Sequence, residues 1–141
     1  MARRLSRLGI AGLALAGAVA VLGACGGSSG GEPSTPGLAA RKVTIGGLDV
    51  TVTPARFDAD GAEFKVVFDT HTGAPGIDVA ANSALLVGGT AWTGAAWSGD
   101  GPGGHHREGT LRFNAAGPAE GPARLTVTGL DGPVDVTWEL P

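Results

Sequence analysis

The chain has one cysteine, no tyrosine and only three histidines in 141 residues. A single cysteine excludes an internal disulfide, so any fold must hold by packing and hydrogen bonds alone. Basic residues are few, 10 against 13 acidic ones, and after the first 25 residues they cluster only at Arg41-Lys42. Without a basic face the chain has no electrostatic reason to bind nucleic acid or anionic lipid. It also lacks a capped amphipathic helix after residue 25; "DVAANSALLV" could hold no more than a turn. No internal repeat is visible. Glycine, in contrast, is abundant, with 26 copies beside nine prolines.

The N-terminus carries the clearest signal. Arg3, Arg4 and Arg7 precede an uncharged apolar run from Leu8 to Ala24. That run is short and largely alanine and glycine, whereas a membrane span needs about 20 strongly apolar residues. A basic start, a short apolar core and small residues at its end make an export signal. "RRLSRL" lacks the apolar pair that twin-arginine export uses, so general secretion is expected. The run ends in Leu22-Gly23-Ala24-Cys25, which resembles the lipobox of bacterial lipoproteins. The resemblance implies that residues 1–24 are removed and that Cys25 becomes an acylated N-terminus. It places the protein on the extracytoplasmic face of the cell membrane, held by palmitate-type chains.

Residues 25–40 follow as a Gly/Ser/Pro-rich tether that cannot bury a core. A flexible coil of that length spans roughly 20 Å. After Cys25 there are 7 basic and 13 acidic residues, a net charge of −6.

Residues 41–141 are enough for one small domain, and their patterning has period two. Val50 and Val52 alternate with Thr51 and Thr53; Phe64, Val66 and Phe68 share one face; Leu125 and Val127 alternate with polar neighbours. Val134, Val136, Trp138 and Leu140 make an inward row in the last segment. Turns are expected at "DADG" (58–61), Gly88-Gly89, "GPAEGP" (117–122) and Asp131-Gly132. Short alternating strands at this spacing predict a single antiparallel, immunoglobulin-like β-sandwich, all-β, with no cysteine pair between its sheets.

Three motif matches are discounted on context. "GDGPGG" (99–104) fits G-x-G-x-x-G but leads into a strand pattern, not a helix N-terminus that could meet a pyrophosphate. "DADGAE" lacks the third acid and the terminal glutamate of a calcium loop. Ser98 has Ala96 where a nucleophile elbow needs glycine, and nothing suggests an oxyanion hole. No catalytic residue is assigned, and the domain is expected not to be an enzyme.

The histidines carry the open question. Asp69 and His71 should project from one face of a strand. His105 and His106 open the strand that runs to Phe113, so they should point to opposite faces. Leu111 and Phe113 share the parity of His105, which assigns His105 to the core side and His106 to the side of Glu108 and Arg112. The segments Asp69-Thr70-His71 and Trp97, Gly99, Gly103–Arg107, Gly109, Leu111, Phe113 resemble those of an uncharacterised group of bacterial exported proteins. The resemblance spans most of residues 43–140 and implies that both histidine segments belong to one constellation.

Three readings compete for that constellation. Copper or zinc would be bound by His71 with His105 or His106 and Asp69, since imidazole suits both ions. Alternatively, one histidine is held by Asp69 while Arg107 pairs with an acid, pinning a long loop. Third, the Gly-rich loop with Trp92 and Trp97 meets an envelope protein partner. The structural reading is preferred, with no cofactor; the sequence sets no oligomeric state.

Overall fold

The computed structural model describes residues 38–73 and 75–141. The expected export signal (1–24), Cys25 and the expected tether as far as Gly37 lie outside the described residues. Eight strands and no helix make up the described chain. They are β1 (Arg41–Ile45), β2 (Leu48–Phe57), β3 (Gly61–Thr70), β4 (Ser83–Val87), β5 (Thr90–Gly99), β6 (His106–Asn114), β7 (Gly121–Val127) and β8 (Val134–Leu140).

The period-two rows become the core. Val50, Val52, Phe64, Val66, Phe68, Leu125, Val127, Val134, Val136, Trp138 and Leu140 are all buried, while their sequence neighbours face outward or sit half-buried. Burying each large apolar side chain contributes roughly 1.5–3 kcal/mol against the entropy of ordering the chain.

All pairings are antiparallel, and the strands form one sheet in the order β1-β2-β3-β6-β5-β4-β7-β8. β5 changes partner along its length. Thr90–Trp92 pair with β4, and from Thr93 to Gly99 the strand pairs with β6, with a register shift between Thr93 and Ala96. A bulge of this kind bends and twists a sheet. The two halves therefore fold over one another and their inner faces meet. Phe64 of β3 stacks 5.5 Å from Trp138 of β8, strands far apart in the sheet order. β1 and β8, the ends of that order, touch without pairing. The result is the all-β antiparallel sandwich that the alternation predicts, almost closed into a barrel.

The turns follow their chemistry. Gly88 and Gly89 join β4 to β5, and Gly46 and Gly47 join β1 to β2, each with φ between 55° and 83°. Two consecutive positive-φ residues suit the right-handed twist of a tight hairpin. At 58–61 the Asp58 carboxylate accepts the main-chain N–H groups of Asp60 and Gly61, so this segment is a hairpin turn. The segment 78–82 is a turn in which Asn82 N–H donates to Asp78 O. At the other end, the packed domain begins before Arg41. Leu38 is buried in the core, and Trp138 Nε1–H donates to Ala39 O at 2.8 Å. Core packing therefore includes Leu38, upstream of the expected boundary at 41, and the last strand's tryptophan takes its acceptor from Ala39.

Candidate functional site

β3 ends and β6 begins side by side, and this end of the sheet gathers the histidine segments. The ladder sets Asp49 opposite Asp69 and Asp69 opposite His106. With Thr44 opposite Asp49 on β1, one polar row crosses four strands on the outer face. Two carboxylates directly opposite one another repel. Here different donors engage each. Lys42 Nζ lies 2.8 Å from Asp49 Oδ2 and Thr44 Oγ1–H donates to Asp49 Oδ1 at 2.6 Å. These two partners, Lys42 foremost, hold the Asp49 carboxyl below its ordinary range. Asp69 instead accepts from His106 Nδ1–H at 2.6 Å.

His106 therefore stands where its strand parity places it, on the outer face. Its other ring nitrogen is 3.6 Å from Glu108 Oε2, and Glu108 in turn lies 3.7 Å from Lys65 Nζ. The hydrogen bond to Asp69 raises the His106 pKa above its ordinary value; burial opposes this, while the charges of Asp69 and Glu108 add to it. The native state thus favours the imidazolium more than the unfolded chain does. The pair's contribution to stability is fully present below about pH 6.5 and is lost as pH rises through the raised native value. Melting temperatures of wild type and Asp69→Asn should differ most near pH 5.5 and converge by about pH 8.5. A gap that grows with pH would contradict this assignment.

His105 departs from expectation. Its parity assigned it to the core, yet it is exposed and precedes the strand. Thr70 N–H donates to His105 O at 2.9 Å, closing the ladder there, and His105 Nδ1–H donates back to Thr70 O at 3.2 Å. Nδ1 of the ring is thus engaged by the main chain at the sheet's end. His71 lies one residue past β3, in a bend, and is exposed. His71, His105, His106, Asp49 and Asp69 line one open depression. Even so, no group of three or more His, Cys, Asp or Glu side chains among the described residues is arranged to hold a metal ion.

The inward position belongs to Arg107, which is 3% exposed. The sequence reading paired this arginine with an acid; its partners are instead three main-chain carbonyls. Nε–H donates to Asp100 O at 3.0 Å, and Nη1 donates to Pro75 O at 3.1 Å and Ile77 O at 3.0 Å. The guanidinium also lies over Trp97, 5.4 Å from the ring centroid. Arg107 is therefore the bolt joining the 75–77 loop to the 100–104 loop across the end of the sandwich. The physical reason is geometric: only a long side chain with several fixed donors reaches carbonyls on two loops from one strand position.

Trp97 sits where it does because residue 109 is glycine. A Cβ there would come within 2.5 Å of the indole ring. The ring also packs edge-on to Phe68, and its Nε1–H donates to Asp100 O. Trp92, grouped with Trp97 in the loop reading, is a core residue at 3% exposure and offers nothing to a partner. Ser98 is exposed on β5, and the nearby Asp100 carboxylate accepts the Glu108 main-chain N–H at 3.0 Å. Asp100 thus caps the loop.

Sequence reasoning overlooked Asp49 and the burial of Arg107. The first was legible as the outward neighbour of Val50. The second showed only as a charge at the parity of Leu111 and Phe113. Compared with known proteins, the chain matches no family model, no curated protein and no solved structure.

Proposed function

We propose that the chain is a lipid-anchored protein of the extracytoplasmic membrane face whose β-sandwich domain is non-catalytic and whose histidines are structural. The anchor half of this reading rests on Leu22-Gly23-Ala24-Cys25 and the tether behind it. The other half rests on one observation. The Nδ1 atoms of both adjacent histidines face protein acceptors, Asp69 Oδ1 and Thr70 O, across the junction of β3 and β6. Hydrogen bonds of this kind orient a ring and hold two segments together without any ion.

A second reading, copper or zinc at His71 with His105 or His106 and Asp69, draws on the depression these residues share with Asp49. Calorimetry of wild type and His106→Ala, each with and without copper, separates the two. On the structural reading, His106→Ala melts earlier than wild type at pH 6 and copper shifts neither protein. A metal that binds only the native state would raise the wild-type melting temperature by mass action and fade as protons compete for imidazole. A copper-dependent rise in wild type that His106→Ala or His71→Ala removes would overturn the structural reading.

A third reading, a partner-binding surface at the Gly-rich loop, is favoured by an open cleft. It runs between residues 76–80 and residues 97–102 and has Trp97 and Arg107 in its lining.

A further inference from the structure

The sheet has two terminal edges and a third, internal one. β1 is five residues long and begins Arg41-Lys42. β8 carries Asp135 and Glu139 and is followed by Pro141. Short length, charge and proline are the devices that keep sheet edges from pairing with other chains.

The internal edge lies on β5. Its first residues pair with β4 only through Thr90–Trp92, so Ala95–Gly99 have β6 on one side and no strand on the other. Asp100 N–H donates to Glu108 O, and the ladder pairs Ser98 with Thr110 and Ala96 with Arg112. Main-chain groups alternate sides along an antiparallel strand. Those of Ala96, Ser98 and Asp100 therefore face β6, and those of Ala95, Trp97 and Gly99 face outward. No main-chain hydrogen bond joins these three to anything else among the described residues.

This edge carries no charge and no proline: Ala95-Ala96-Trp97-Ser98-Gly99. It borders the cleft, whose opposite wall is residues 76–80 and whose end holds Arg107. Arg107 is buried, yet its Nη2 makes no hydrogen bond among the described residues, leaving a donor for an incoming main-chain carbonyl.

We infer that the Ala95–Gly99 edge accepts an extended segment of a partner polypeptide, which adds a strand to β5 along this cleft. The inference rests on the partner-binding reading and names its mode. A row of outward N–H and C=O groups at alternate residues is complementary to another extended backbone. Asp78 and Asp100 line the cleft, so the segment is uncharged or basic rather than acidic.

The full chain in detergent provides the test. In amide hydrogen exchange on the free protein, Ala95, Trp97 and Gly99 should exchange quickly while Ala96, Ser98 and Asp100 are protected. Decapeptides selected from a random display library against the full chain, then resynthesised, should protect the three outward amides. Ala95→Pro removes one outward N–H and should weaken such peptides roughly tenfold. Ser98→Lys, which keeps the β6 ladder and adds an edge charge, serves if the proline variant fails to fold. Peptides that bind while leaving the outward amides unprotected would remove strand addition and keep a binding surface. The absence of any selected peptide would remove both. Protection of the outward amides in the free chain, or peptide-independent dimerisation through them, would also overturn the proposal.

Discussion

Replacing Arg107 with methionine is expected to cost about 2–4 kcal/mol of stability, from main-chain carbonyls that lose a charged donor. Methionine keeps the stem's volume over Trp97 but takes the donor from the carbonyls of Pro75 and Ile77 and leaves Asp100 O with Trp97 Nε1–H alone. Each part-buried carbonyl left unmet costs on the order of 1–3 kcal/mol, partly recovered as water enters the loosened loops. For a domain of about 100 residues this corresponds to a fall in melting temperature on the order of 15 °C. Arg107→Lys should fall between, because one ammonium cannot span two loops as a planar fork does. Circular-dichroism melts of the full chain check this. A methionine variant melting within about 4 °C of wild type would show that the two loops stand without their bolt.

Cys25→Ala is expected to abolish the incorporation of labelled palmitate and to leave the precursor uncleaved, with residues 1–24 still attached. Thioether formation needs the sulfur, and no other side chain near the signal offers one, since Cys25 is the chain's only cysteine. Metabolic labelling followed by gel electrophoresis, which separates precursor from cleaved protein, reads both effects. Labelling of the alanine variant at the wild-type level would refute the anchor.

The strands themselves were legible because burial of one face imposes a two-residue period, and that period survives in the sequence wherever the core is continuous. Val50 and Val52, Phe64 to Phe68, and the row from Val134 to Leu140 are buried as the alternation required. The hairpin at Gly88-Gly89 was equally local, since two positive-φ residues in a row belong to few other structures. Sequence alone thus determined the fold class, the turns at 58–61 and at Gly88-Gly89, and the outward position of His106, whereas Gly121-Pro122 of the expected turn at 117–122 open β7.

Other features depend on partners distant in the chain, and only the tertiary structure decided them. Parity assigned His105 to the core, but the ladder closes at Thr70 and leaves that histidine outside it. The buried place falls to Arg107, because the carbonyls that satisfy it come from residues 75, 77 and 100, which no local pattern connects to it. Likewise Leu38, read as tether, is buried with the core, and Trp138 draws on Ala39. The strand order and the mid-strand handover of β5 also escaped the pattern. Periodicity reports which face of a strand is buried; it does not report which strand lies beside it, and that choice leaves the edge at Ala95–Gly99 open.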